Sequence, residues 1–169
     1  MTDYLNSIIK ELKPSATLAV KTRAGELRAE GKTIIDMSAG EPDIDTPDHV
    51  KDAAKKALDN GKTKYTPVPG IPELRQALAD KFTNENKIPT TADKVIVTNG
   101  GKQGLHEVFQ VCLEPGDEVV IPSPYWVSYP SMVKIANGVP VVVNTSHQNS
   151  YKLTPEDLER VLSEKTKFI

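Results

Sequence analysis

The sequence predicts an α/β protein built on a mainly parallel sheet with helices on both faces. Three observations predict it. From Lys94 onward the order strand, loop, helix repeats. The strands are short β-branched runs such as Val95-Ile96-Val97 and Val139–Val143, while the intervening segments carry apolar residues every three or four positions. Threonine followed by proline, at Thr46-Pro47 and Thr154-Pro155, supplies helix starts.

The elements follow in order. A helix runs from after Pro14 to about Glu30, with Val20, Ala24 and Leu27 on one face and Gly31 placed to end it. A short strand, Thr33 to Met37, leads into the loop Ser38-Ala39-Gly40-Glu41-Pro42. Thr46-Pro47 opens a helix striped by Val50, Ala54, Ala57 and Leu58 and closed by Gly61. The loop Lys64–Gly70 feeds a helix from near Pro72, lined by Leu74, Leu78 and Phe82, and Pro89 forbids its continuation. Val95–Val97 reads as a buried strand, and Asn99-Gly100-Gly101 opens a helix carrying Leu105, Val108, Phe109 and Cys112. Glu118 to Ile121 is the next strand, followed by a helix through Met132, Val133 and Ile135 to Gly138, and then by the strand Val139–Val143. Thr154 caps a helix through Leu158, Val161 and Leu162. Thr166 to Ile169 opens another buried strand, and the expectation is of a chain cut short there.

Composition narrows the class. The chain has 169 residues, 38% hydrophobic and 26% charged, which suits a globular core. A net charge of −2 and a pI of about 5.9 leave no broad basic surface for nucleic acid. No segment approaches the length of an apolar membrane span, and the opening MTDYLNSIIKELKP reads as neither signal nor transit peptide. Cys112 is the single cysteine, read as a small core residue in a reducing, cytoplasmic setting. The histidines, His49, His106 and His147, have no metal-ligand spacing.

Four segments can carry chemistry, and each has a bland alternative. Val95–Gly104 delivers small residues to a helix start, where backbone N–H groups and the helix dipole attract an anion. It matches neither the P-loop nor the dinucleotide fingerprint, because Gly100, Gly101 and Gly104 are spaced by one and three. A plain turn before a helix needs similar residues. Pro122–Pro130 follows a strand directly and presents Trp126, either to stack on a flat ring or to plug a gap between sheet and helix. Tyr65, on a loop stiffened by Pro67 and Pro69, either donates its hydroxyl to a phosphate or covers a core edge. Gly40 either lets backbone N–H approach a carboxylate or simply turns the chain.

These segments, in this order, resemble the amino-terminal half of class I pyridoxal-phosphate (PLP) aminotransferases of fold type I, closest to the bacterial aspartate aminotransferase subgroup. The resemblance rests on Lys13–Thr17, Ala39–Asp43, Gly61–Tyr65, Gly70–Arg75, Gly100–Gln103 and Ser123–Pro130. It implies residues 1–45 as an arm and part of a small domain, and 46–169 as the first part of the large PLP-binding domain. It implies that Gly100, Gly101 and Lys102 hold the PLP phosphate, that Trp126 stacks on the pyridine ring, and that Tyr65 reaches the phosphate of a neighbouring subunit's cofactor in a homodimer. Gly40 is implied in contact with the substrate α-carboxylate, and Lys13 with the distal carboxylate of a dicarboxylic substrate. Amino-acid and 2-oxo-acid substrates are implied with them.

The same resemblance places the lysine that bonds the cofactor beyond residue 169, together with the aspartate facing the pyridine nitrogen and the arginine gripping the α-carboxylate. The chain alone is therefore expected to be inactive and poorly soluble. Two other readings stay open: a non-catalytic scaffold or phosphate-binding module, and another fold type I PLP enzyme, a lyase or synthase.

Overall fold

The computed structural model describes residues 4–38 and 40–169; Ala39 of the Ser38–Pro42 loop lies outside the described residues. The chain divides into two compact units, one of residues 1–39 with 100–169 and the other of residues 40–99.

In the first unit, α1 (Ser7–Glu11) and α2 (Ala16–Ala29) are each started by a side chain: Asn6 accepts from the Ile9 amide at 2.9 Å and Ser15 from the Leu18 amide at 3.5 Å. The sheet comprises β1 (Glu118–Ser123), β2 (Val139–Asn144) and β3 (Thr166–Phe168), all parallel, in the order β2-β1-β3. The β1–β2 ladder runs unbroken from Glu118 opposite Val139 to Ser123 opposite Asn144. The β1–β3 pairing shifts register after Glu118.

Parallel strands need helical crossovers, and α5 (Gly101–Cys112), α6 (Tyr129–Ile135) and α7 (Pro155–Glu159) alternate with them. Phe109 of α5 and Met132 and Val133 of α6 pack with Val119 and Ile121, so both helices cover the same face of β1. Val133 has no exposed surface and Val120 only 1%, and burial at that level contributes about 1.5–3 kcal/mol per side chain. Phe168 meets Phe109 edge-on, ring centroids 5.8 Å apart, which ties β3 to α5. Thr154 caps α7 as its sequence predicts, its hydroxyl accepting from the Asp157 amide at 3.1 Å.

The second unit holds α3 (Asp48–Asp59) and α4 (Pro72–Asn84). Asp48 begins α3, with Pro47 at its cap, and no side chain caps it. Its stripe is uncovered: Val50 and Leu58 are both exposed. On α4 it is Ala79, rather than the expected leucines, that is buried.

Two expected strands are extended segments instead. Val95–Val97 lies against Pro69–Gly70, with the Val97 amide bonded to the Pro69 carbonyl at 3.0 Å and the Arg75 Nε bonded to the Val95 carbonyl at 2.9 Å. Pro69 has no N–H to return that bond, and no ladder is present there among the described residues. Thr33–Met37 gains no ladder among the described residues, and Ile35 and Met37 are exposed. Cys112 is exposed rather than a core residue; the last turn of α5 turns it outward while Phe109 and Leu113 are buried.

Candidate functional site

The start of α5 is shaped by glycine. Gly100, the cap residue, has φ +90° and ψ 167°, a backbone region open almost solely to glycine. No side chain caps this 12-residue helix. A Cβ added at Gly100 or Gly101 would meet no atom within 4 Å, so the helix start faces open space. Among the described residues the amides of Gly101 and Lys102 have no acceptor, as the geometry of a first helical turn requires. The helix dipole adds roughly half a positive charge at this end. An anion with several oxygens fits it.

The indole of Trp126 stands beside this helix start. It belongs to the loop between β1 and α6, which contains the cis Ser123-Pro124 peptide. The Tyr129 amide bonds back to the Trp126 carbonyl at 3.0 Å, and the Tyr129 ring meets the indole edge-on at 5.5 Å and 90°. The Lys102 ammonium lies 4.8 Å from the indole centroid, a cation–π contact that brings the first turn of α5 and the loop together. Trp126 keeps 42% of its surface exposed, so it is not a plug between sheet and helix. A flat ring has room on it.

Two clefts share this indole. One, about 790 Å³, is lined by Lys13, Lys102, Lys134 and Trp126, with the hydroxyls of Ser15, Thr17, Ser128 and Ser131. The other, about 850 Å³, is apolar and runs between α5, β1 and β3, past Leu105, Phe109, Tyr125 and Phe168. The structure therefore gathers Lys13, Lys102 and Trp126 on one cleft, with Gly100 and Gly101 directly preceding Lys102. Tyr65 and Gly40 belong to the other unit, and both are exposed.

Sequence reasoning missed Lys134. It lines the cleft with Trp126 and Pro130, and its place in the last turn of α6 gave no signal that would have singled it out. Among the described residues no group of three or more His, Cys, Asp or Glu is arranged to hold a metal ion. The carboxylates with shifted acidity serve local structure. Asp117 is lowered first by the Glu114 amide and then by Lys167, and Asp157 is lowered first by the Thr154 hydroxyl.

An uncapped helix start with open space before it, next to an open indole, suits a cofactor made of a flat ring and a phosphate. The chain belongs to the family described as aminotransferase class I and II, which matches residues 32–169. Aminotransferases of this class are PLP-dependent. The chain is 52% identical over 165 residues to the aspartate/prephenate aminotransferase of Thermus thermophilus, covering 98% of this chain and 43% of that protein. It is 50% identical to its counterpart in Cereibacter sphaeroides, covering 98% of this chain and 41% of that one. Among solved structures, the Thermus thermophilus aspartate aminotransferase with maleate superposes with a TM-score of 0.93 at 52% identity, over 98% of this chain and 43% of that one. An alanine aminotransferase from Pyrococcus furiosus gives 0.90 at 30% identity, over 96% and 42%. The chain thus spans less than half the length of the relatives it matches.

Proposed function

We propose that this chain supplies the phosphate-holding and ring-stacking part of a PLP-dependent aminotransferase that moves an amino group between an amino acid of aspartate or glutamate type and a 2-oxo acid. The observation that carries it is the contact of Lys102, at the uncapped start of α5, with the open indole of Trp126. A scaffold would need neither an uncapped helix start nor an exposed indole beside it.

In this reading the amides of Gly101 and Lys102 hold the phosphate, and Gly100 supplies the backbone turn that aims them at it. Trp126 covers one face of the pyridine ring. The bound cofactor supplies the electron sink. This chain's residues fix the ring and so orient the bond to be broken. Lys13 takes the distal carboxylate of the substrate, and Gly40 approaches the α-carboxylate through its backbone.

Tyr65 has a fully exposed ring, which suits a hydroxyl that reaches the phosphate in a partner subunit of a homodimer. Residues 1–45 form an arm and part of a small domain, and 46–169 begin the large one. The lysine that bonds the cofactor and the arginine for the α-carboxylate belong to the remainder of a longer protein. No described helix is long and apolar enough to cross a membrane. A cytoplasmic location rests on the single unpaired cysteine.

The test is the whole protein incubated with PLP, dialysed and mixed with aspartate and 2-oxoglutarate. One cofactor per chain and stoichiometric formation of glutamate are expected. Absence of cofactor uptake, or uptake with no amino transfer to any 2-oxo acid, overturns the proposal.

A further inference from the structure

A stacking ring works best when it is already held at its angle, because freezing a mobile side chain at the moment of binding weakens the complex. Trp126 has 42% of its surface exposed and stands in the short loop between β1 and α6, so core packing alone does not hold the indole. The loop backbone is held at both ends. At its start the Thr145 amide donates to the Ser123 carbonyl at 3.1 Å, and the Thr145 hydroxyl donates to the same oxygen. At its end the Tyr129 amide donates to the Trp126 carbonyl at 3.0 Å. These bonds place the backbone of residue 126 and leave the rotation of its side chain open.

Tyr129 closes that freedom. Its ring meets the indole with 5.5 Å between centroids and 90° between planes, the edge-to-face geometry that aromatic quadrupoles favour. The same residue is half-buried and packs against the core cluster that holds Phe109, Val119, Ile121, Met132 and Val133. It is also the first residue of α6, whose Met132 and Val133 are buried. A ring mounted on a rigid helix start and backed by the core thus abuts the indole. Among the described residues no other aromatic ring touches Trp126, and its remaining side-chain contact, the Lys102 ammonium at 4.8 Å, comes from a flexible stem. No described residue hydrogen-bonds the Tyr129 hydroxyl, so the ring itself makes the contact.

We propose that Tyr129 is a positioning residue for the ring-stacking face: seated on the core, its ring presets the angle of the Trp126 indole before a flat ring arrives. The inference rests on the PLP reading for the identity of that flat ring, and on the aromatic pair alone for the preset angle. Tyr129 acts through Trp126 rather than by touching the cofactor.

The experiment uses the whole protein, with Y129L and Y129M to remove the aromatic ring and Y129F to keep it. Two readouts are taken. One is fluorine NMR of cofactor-free protein labelled with fluorotryptophan, the Trp126 line being assigned by its loss in W126A. The other is the Kd of PLP by equilibrium dialysis. The parent should show a single narrow Trp126 line. Y129L and Y129M should move or broaden it and weaken PLP about 2- to 10-fold, the range that loss of one aromatic pair implies. Y129F should restore both. Added to W126A, Y129L should bring no further loss of affinity, since the side chain through which it acts is gone. Y129M carries the same test where Y129L does not fold. A Trp126 line unchanged by the loss of the ring, or an equal fall in PLP affinity when Y129L is added to W126A, overturns the role of Tyr129 and leaves the cofactor reading intact. A W126A protein that binds PLP as tightly as the parent overturns the stacked ring of the proposed function, while the fluorine line still decides whether Tyr129 sets the indole.

Discussion

Alanine at Gly100 and at Gly101 separates the backbone's work at the start of α5 from the space in front of it. Gly100 sits at φ +90° and ψ 167°, where an L-residue is strained by about 1–3 kcal/mol, so G100A should destabilise the protein by that amount with or without cofactor. Gly101 is the first residue of the helix and its φ is not positive. A Cβ there touches nothing, so G101A should leave the cofactor-free protein as stable or up to about 0.5 kcal/mol more stable, by restricting the unfolded chain. Yet that methyl stands at the helix start, where the phosphate is to be seated against the amides of residues 101 and 102. Displacing one charge-assisted hydrogen bond costs about 1.5 kcal/mol, or roughly tenfold in PLP affinity. Thermal melts of the cofactor-free whole protein give the first quantity, and equilibrium dialysis against PLP gives the second. G101A that binds PLP as tightly as the parent refutes the phosphate seat. G100A that melts like the parent refutes the strain argument.

The remaining predictions concern the supports. Gly70 combines φ +107° with a position where a Cβ would fall 2.6 Å from Val97 Cγ2, so G70A should cost about 2–3 kcal/mol in urea unfolding, and V97A in the same chain should recover part of the loss. V133A removes two methyl groups from a side chain with no exposed surface and should cost about 2 kcal/mol; a loss below 0.5 would mean that the α6–β1 core repacks. The Ser38 hydroxyl, the Ser38 amide and then Arg28 hold the Asp36 carboxyl at about 2, well below its usual range. Because the folded value lies below the unfolded one, this carboxylate's contribution is complete above about pH 4 and is lost as pH falls through 2. A carboxyl NMR titration of Asp36 with its midpoint near 4 contradicts the arrangement, and D36N should abolish the acid-side dependence of Ser38 amide exchange.

The sequence was most legible where local chemistry and tertiary contacts agree. Thr154 caps α7, Gly31 and Gly61 both take positive φ just after α2 and α3, and the alternation after Glu118 becomes a parallel sheet. It was least legible where a β-branched run needed a partner. Val95–Val97 has the side chains of a strand, but its neighbour is a proline with no amide to share. Thr33–Met37 likewise pairs with no described strand. Cys112 was misread because the apolar stripe of α5 narrows at its end, where Phe109 and Leu113 already fill the core. Within the site, the Gly100–Lys102 turn and Trp126 were readable as separate local motifs. Their 4.8 Å contact was not, because it joins residues 24 positions apart. Lys134 was passed over for a related reason: alone on α6 it reads as a solvated helix end, and only the approach of Lys13 and Lys102 gives it company.

Residue 102 explains why that approach matters. Its amide belongs to the helix start, where the dipole and the fixed direction of the N–H suit a phosphate with several oxygens. Its ammonium leaves the helix and rests on the indole, at the wall of the cleft that also holds Lys13 and Lys134. Backbone and side chain of one residue thus serve two places, the helix start and the indole face, and a glycine pair in front of it keeps the first of them free of steric competition. A lysine placed one residue later on α5 would point about 100° away around the helix and lose the indole. The register of the glycine turn therefore sets where Lys102 meets the indole. The contact thereby ties the start of α5 to the loop between β1 and α6.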